Sequence, residues 1–432
     1  MALPTLPRSV CTAKVSRRSL LVGMASASLW EMGQGLSLAA ESQQPWLQWR
    51  GNKRDGSYEG PTWPDSITAD NLKRVFRVPL APSYSGPIVM EDRIFVTETR
   101  DKKVEVVSAL SRKDGSVLWS KSWEGSLTVP FFAASNGSWI RATPACDGET
   151  LYVVGIRVVL VALDAKTGDL RWRADLMQQF KAPLPAFGFV SSPLIRGDAL
   201  YVQAGGGVVK LERSTGKVLW RVLESSDGMY GSAFSSPVLA TVGGREQLLV
   251  QTRQKLCGVD PESGDVFWST DVPAFRGMNI LTPTVIDGNI FTSSYGGKSF
   301  LYKVGGTTDK QEVSVLWENK TQAYMSSPVV VGNYVYVHLR NQRFACIDLT
   351  TGKEQWTTKP FGQYWSLVLQ GDKILALDER GDLLLIRANP QKFELLSSRK
   401  ISEESTWAHL AVSGQQVIVR ELNALAVFDW KE

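Results

Sequence analysis

Side chains able to do acid–base, nucleophilic or metal chemistry are few and dispersed in this 432-residue chain. The two histidines, His338 and His409, fall in different copies of the repeat described below, which leaves neither a zinc site nor a Ser-His-Asp triad to build. The glycine clusters Gly205-Gly206-Gly207 and Gly305-Gly306 read as hairpin turns, because no Lys-Ser/Thr pair and no helix follows them to make a phosphate loop. Of four cysteines, Cys11 lies in a segment expected to be removed. The remaining Cys146, Cys257 and Cys346 are odd in number and widely spaced, so no disulfide framework is expected. Cys257 and Cys346 stand in apolar strand sequences as small buried hydrophobes. No catalytic residue and no metal ligand is assigned.

The aspartates Asp114, Asp164, Asp260 and Asp348 look chemical only until their recurrence is noticed. Each precedes a Gly, and each copy has the same local logic: an apolar strand ends at a polar residue that can accept backbone N–H bonds, and the Gly turns the chain with positive φ. A second strand then carries a Trp four residues after the Gly, as in Gly168 to Trp172, Gly216 to Trp220, Gly264 to Trp268 and Gly352 to Trp356. By alternation the indole always falls on one face, so one docking surface is repeated. The structural tryptophans Trp119, Trp172, Trp220, Trp268, Trp317 and Trp356 are 53, 48, 48, 49 and 39 residues apart, with Trp317 closing a degenerate copy. Periods of about 40–50 residues made of short strands predict propeller blades.

A second signal precedes each copy: Ser85-Gly86-Pro87, Ala142-Thr143-Pro144, Ser191-Ser192-Pro193, Ser235-Ser236-Pro237, Leu281-Thr282-Pro283 and Ser326-Ser327-Pro328 each open an apolar strand. Two further strands, near Leu367 and Leu410, lack the Pro, which makes eight starts. The Pro costs little at a strand head, where no ladder donor is needed. The expected architecture is therefore all-β: an eight-bladed propeller of four-stranded antiparallel blades over residues 72–432. The last unit stops one strand short after Asp429, and Leu72–Val78 resembles a Trp strand with Phe76 in the indole position. This N-terminal strand is expected to complete the C-terminal blade and remove the open edge. Residues 41–71, rich in Pro and Trp, are expected to pack as an irregular lead segment.

If the S-P strands are innermost, the residues just before them ring one mouth of the channel. Tyr84, Arg141, Val190, Phe234, Ile280, Met325, Tyr364 and Trp407 stand three before the Pro position. Phe189, Asn279 and Tyr324 stand one further back, with Trp365 nearby. Aromatic groups beside one Arg suit a planar ligand or a peptide. The expected ligand-binding set is Tyr84, Arg141, Phe189, Phe234, Asn279, Tyr324, Tyr364, Trp365 and Trp407; the alternative is that these rings only plug the channel.

Net charge is +5, but Arg8, Lys14, Arg17 and Arg18 against Glu31 in residues 1–40 leave only +2 for the rest, so no nucleic-acid footprint remains. Ser16-Arg17-Arg18-Ser19-Leu20-Leu21 opens an apolar run through Trp30, and Ser37-Leu38-Ala39 supplies small residues for cleavage. Residues 1–40 thus resemble a twin-arginine export signal, with a retained N-terminal anchor as the alternative. The mature chain is expected to be periplasmic or otherwise exported, monomeric and without a transmembrane span.

The complete pattern Asp-x-x-Thr-Gly-x-x-x-Trp at Asp164–Trp172 and Asp348–Trp356, set among eight strand starts, resembles the PQQ-type (quinoprotein-like) β-propeller repeat family over about residues 46–432. Trp46-Leu47-Gln48-Trp49-Arg50-Gly51 is similar to the lead segment of exported members. The resemblance implies the fold and leaves activity open, since members include quinoprotein alcohol dehydrogenases, which hold pyrroloquinoline quinone (PQQ) with calcium, and non-enzymatic propellers such as an outer-membrane assembly lipoprotein. A dehydrogenase would bring an Asp base, a Glu and an Asn on calcium, an Arg at the quinone and often adjacent cysteines. This chain has no adjacent cysteines, and the ligand motifs find no match. The expectation is an exported binding or scaffold module for a small molecule or protein; the alternative is a PQQ-dependent alcohol dehydrogenase with diverged ligands.

Overall fold

The alternating strands and Gly turns assemble as eight four-stranded antiparallel sheets in a computed structural model that describes residues 44–204, 206–225, 234–307 and 310–430. The export segment expected over 1–40 lies outside the described residues. Blades 1 to 8 begin at Ile88–Met90, Ala145–Cys146, Leu194–Arg196, Val238–Val242, Thr284–Ile286, Val329–Val331, Trp365–Gln370 and Ala411–Ser413. In blades 1 to 6 that strand starts on the residue after the Pro, as the missing N–H demands. First strands of neighbouring blades touch each other, so these strands line the axis. Apolar clusters form between blades: Leu160 and Val154 meet Leu200 and Val209, and Phe344 and Cys346 meet Leu367 and Ile386. The three cysteines of the described residues are free and buried.

The Ser or Thr before the Pro has a specific task. Thr143 Oγ1 accepts the Gly86 N–H at 3.0 Å, Ser192 Oγ that of Thr143 at 3.2 Å, Ser236 Oγ that of Ser192 at 2.9 Å, and Thr282 Oγ1 that of Ser236 at 3.2 Å. Each strand head is thus bonded to the next blade around the axis, at about 0.5–1.5 kcal/mol per bond. This belt from blade 1 to blade 5 needs a short hydroxyl side chain at one fixed position in blades 2 to 5, which is why Ser or Thr stands before the Pro there.

The ring closes as the strand pattern predicts. Leu72–Pro79 pairs antiparallel with Ala424–Trp430, from Leu72 opposite Trp430 to Pro79 opposite Ala424, and completes blade 8. Phe76 takes the indole position: a Cβ on Gly115 would lie 2.8 Å from its ring.

The repeated tryptophans dock on the turn of the following blade. Trp119 Nε1 donates to Ala165 O at 3.1 Å, Trp172 to Arg213 O at 2.9 Å, Trp220 to Glu262 O at 2.9 Å, Trp317 to Leu349 O at 2.6 Å and Trp356 to Asn389 O at 2.9 Å. The repeat Gly is required twice over. Its φ is positive, and its missing Cβ makes room for the neighbour's indole: 2.5 Å would separate a Gly216 Cβ from Trp172, and 2.5 Å a Gly352 Cβ from Trp317. The aspartates hold the turns. Asp164 Oδ1 takes the N–H groups of Lys166 and Thr167, each at 2.9 Å, and the Arg171 guanidinium followed by these amides pulls its pKa down to about 2. Asp114 fills the Thr place of its copy and accepts from Ser116 N–H at 3.0 Å.

The docking is not uniform, which corrects the expectation of one repeated surface. Trp268 Nε1 donates to Gln247 Oε1 of its own blade at 2.7 Å, with Gln247 braced by Gln311 at 2.8 Å. Blade 5 lacks the Asp-x-x-Thr-Gly turn in its sequence, and for Trp268 a side-chain amide serves as the acceptor.

Three connections between blades carry short helices: 3-10 turns at Phe131–Asn136 and Phe275–Gly277, and an α-turn at Leu176–Phe180 capped by Asp175, whose side chain accepts from Gln178 N–H at 3.0 Å. Among the described residues no helix is long and apolar enough to cross a membrane.

Candidate functional site

Before each innermost strand the chain turns at one end of the axis, and there the side chains form a nearly closed circuit of ring contacts. Tyr364 stacks on Trp407 with centroids 4.1 Å apart and planes at 3°; Trp407 meets Tyr84 at 4.4 Å. In the other direction Tyr364 meets Tyr324 at 6.0 Å, Tyr324 meets Tyr295 at 4.6 Å, and Tyr295 meets Phe275 at 6.0 Å. A second arc joins Phe132, Phe187 and Phe234 at 6.0 and 5.9 Å. Two arginines bridge the arcs. Arg253 covers Phe234 at 4.8 Å and donates to Arg276 O at 2.5 Å, next to Phe275. Arg141 lies over Tyr84 at 5.6 Å and donates to Gly137 O at 2.7 Å, at the end of the 3-10 turn that carries Phe132.

The circuit encloses a cavity of about 240 Å³ on the channel axis. Its upper wall is Tyr84, Arg141, Phe187, Phe234, Tyr324, Tyr364 and Trp407; lower down come the hydroxyls of the belt, Thr143, Ser192, Ser236 and Thr282. No Asp or Glu lines it among the described residues. Burial lowers the pKa of Arg141 and raises those of Tyr364 and Tyr324.

The lead segment closes the cavity from the other side. Trp46 pairs with Val89 of blade 1, its N–H donating at 2.9 Å, and Tyr58 N–H donates to Leu369 O of blade 7 at 2.8 Å. Tyr58 Oη donates to Gly414 O of blade 8 at 2.6 Å. Between these anchors Trp49 reaches the cavity beside His409, ring centroids 6.1 Å apart. Trp49 is flanked by Arg50 and Arg54, whose guanidinium carbons lie 5.6 and 5.8 Å from its ring. Both arginines are buried. Arg54 donates to Pro193 O at 2.8 Å and Ser192 O at 3.1 Å, and Arg50 to Asp55 O at 2.8 Å and to Pro328 O. Burial lowers both pKa values, that of Arg54 also through repulsion from Arg50. Burial, then the charge of Arg50, pushes His409 down to about 3, so it is neutral.

Of the nine residues proposed from sequence, Tyr84, Arg141, Phe234, Tyr324, Tyr364, Trp365 and Trp407 line this cavity. Phe189 and Asn279 do not, a correction with a simple cause: their side chains point away from the axis. Phe189 packs between blades 2 and 3. Asn279 Nδ2 donates to Val272 O at 2.9 Å and Arg253 O at 3.1 Å, tying down its own connection. Sequence reasoning missed Trp49, Phe187, Met278 and His409, which come from the lead segment, from connections or from a strand head without Pro. His409 occupies the place of the belt hydroxyl in blade 8, a signal available in the alignment of strand heads. His338 stacks behind Trp365 at 5.0 Å, and burial lowers it to about 4.

The cavity residues do not fit the calcium that accompanies PQQ in quinoprotein members of the repeat family. Calcium takes about 6–8 oxygen ligands with carboxylates among them. Here no carboxylate faces the cavity, the belt hydroxyls already accept backbone N–H groups, and no cluster of three or more His, Cys, Asp or Glu exists among the described residues.

Comparison with known proteins agrees with the fold. The family model described as "Outer membrane protein assembly factor BamB" matches residues 103–358. The outer membrane protein assembly factor BamB of Moranella endobia is 21% identical over 351 residues, covering 78% of this chain and 82% of that protein. The crystal structure of BamB from Moraxella catarrhalis superposes with a TM-score of 0.61 at 17% identity, covering 84% of this chain and 98% of the other. A quinohemoprotein alcohol dehydrogenase from Pseudomonas putida HK5 superposes at 0.53 with 12% identity over 90% of this chain and 80% of its own, a likeness of fold alone. Repeat, closure and family match together make this chain a member of the BamB-type family of PQQ-like β-propellers.

Proposed function

We propose that this propeller is a non-catalytic binding and scaffold module of the exported compartment, holding its ligand at the aromatic mouth of the channel. The carrying observation is the ring of aromatic side chains around a cavity that no carboxylate lines. Such a site offers stacking faces and one cation; its one imidazole, His409, is held near 3 by burial, too low for a good base, and its hydroxyls have no carboxylate or metal ligand set beside them to run a reaction. The relatives named for outer membrane assembly support a scaffold role, and the Arg17-Arg18 segment supports export.

Two measurements test the reading. Purified protein given calcium, PQQ, an alcohol and a redox dye is expected to reduce no dye above the protein-free rate; stoichiometric PQQ absorbance with alcohol-dependent reduction establishes the dehydrogenase instead. The anionic aromatic dye anilinonaphthalene sulfonate is expected to bind at one site and to bind at least about tenfold more weakly, roughly 1.4 kcal/mol, to Arg141→Gln. Unchanged dye binding in that variant places the ligand elsewhere.

A further inference from the structure

We infer that the mouth takes an extended polypeptide segment that carries acidic side chains next to aromatic ones. The inference rests on the mouth being the binding site and concerns what binds there. The size of the cavity is the first reason. About 240 Å³ falls below the roughly 300–1,000 Å³ usual for pockets that swallow a small ligand, yet it accommodates one large side chain.

The surface around it is the second reason. Apolar rings continue outward from the cavity onto open surface: Phe131 is 96% exposed, Phe132 68% and Phe275 50%. A small molecule seated in the cavity leaves these three in water. A chain lying across the mouth covers them, and exposed apolar side chains rimming a cavity mark a docking site for a macromolecule.

Charge supplies the third. Arg141 forms part of the cavity wall, and its Nε is buried without a hydrogen-bond partner. Arg276 and Arg340 stand exposed over Phe275 and Tyr295, at 5.1 and 4.3 Å, and among the described residues none of these three arginines makes an ion pair. Glu379 lies behind Tyr364, its N–H on the Tyr364 carbonyl at 2.9 Å, and does not reach the cavity. A carboxylate brought by the partner supplies the ion pair that Arg141 lacks, while the partner's aromatic group enters the cavity between Phe234 and Tyr324.

Labelled heptapeptides of sequence GDFSDFG, GKFSKFG and GDSSDSG, titrated into the full chain and followed by fluorescence anisotropy, test the inference. GDFSDFG is expected to bind at least about tenfold more tightly than either control, since hydrogen bonds to charged groups are the stronger kind, and added salt is expected to weaken it. Arg141→Gln is expected to cut its affinity about tenfold. Phe132→Ser and Arg276→Gln, at exposed positions where folding is not at risk, are expected to cut it about threefold each with thermal melting unchanged. Equal binding of the three peptides, or wild-type binding by all three variants, overturns the inference. If the sulfonate dye binds at Arg141 and no peptide does, the polypeptide reading falls while the binding mouth stands; if neither binds, both fall.

Discussion

Trp172 in the outer wall and Trp407 at the mouth are the same side chain under opposite constraints. Trp172 is buried against the next blade, its N–H on the Arg213 carbonyl and its ring filling the space that Gly216 leaves. Trp407 is half-buried, stacked on Tyr364 and facing a cavity. In the wall every contact of the ring is satisfied by the fold itself; at the mouth one face is left for something else. Burial therefore separates residues that hold the propeller together from residues it presents.

Removing the closing strand breaks the wall most completely. A chain beginning at Ala81 lacks Leu72–Pro79, which leaves Ala424–Trp430 as an unpaired edge and takes Phe76 from under Gly115. It is expected to aggregate or lose cooperative unfolding, because a bare edge strand templates association; sedimentation and thermal melting check this. A chain beginning at Ser66 keeps the strand and loses the plug of Trp49, Arg50 and Arg54. It is expected to stay soluble with a lower melting temperature.

Next in size is the direct contrast. Trp172→Ala is expected to cost about 3–5 kcal/mol through the cavity it leaves, whereas Phe132→Ser at the mouth should stay within about 0.5 kcal/mol, as surface changes do. Urea unfolding measures both, and equal costs would erase the distinction between wall and mouth.

These two regions were unequally legible in the sequence. The wall is written in copies: Asp, Gly and Trp at fixed spacing, and Ser or Thr before Pro, each demanded by one local contact that every blade repeats. The mouth is assembled from single occurrences. Tyr84 and Trp407 could be found because they align to strand heads, but Phe187 and Met278 arise in connections of irregular length, and Trp49 arrives from a segment hundreds of residues away in sequence from Trp407. No period predicts a contact made once. Phe189 and Asn279 failed for a related reason: they stand one residue behind the ring positions, and a neighbour in sequence need not share a face, as Phe189 packed between blades and Asn279 bonded to its own connection show. Trp268 shows the converse: its own copy keeps Asp260, Gly264 and the indole at the fixed spacing, and the change lies in the degenerate sequence of blade 5.

The wall can be probed more finely with two glycines of blade 6. Gly352 and Gly332 both have positive φ, 69° and 55°, but an added Cβ meets the Trp317 ring at 2.5 Å in the first case and nothing within 4 Å in the second. Both alanine variants pay roughly 1–2 kcal/mol for the left-handed backbone. Gly352→Ala is expected to pay about 1–3 kcal/mol more for overpacking against the indole. A difference near zero in chemical denaturation would mean that the indole does not need the space.

The wall also holds one acid that sets a pH slope. Glu105 lies buried between blades 1 and 2, accepting from Trp123 Nε1 at 2.7 Å and from Ile156 N–H at 2.6 Å. Burial outweighs these bonds and the field of Arg157, and raises its pKa from 4.5 to about 7. For a carboxyl whose folded value lies above its unfolded one, the folded state binds the extra proton between the two. Its contribution to stability is full below about 4.5 and is lost as pH rises through about 7. Wild-type stability is accordingly expected to fall relative to Glu105→Gln between pH 5 and 8, by roughly 2–3 kcal/mol at about 1.4 kcal/mol per unit. Urea unfolding of both proteins across that range measures the difference, and a constant gap would show that the Trp123 and Ile156 donors keep Glu105 ionised throughout. In that event charge is as well satisfied in the wall as the tryptophans are, and the contrast with Arg141 at the mouth, whose Nε has no acceptor, becomes sharper.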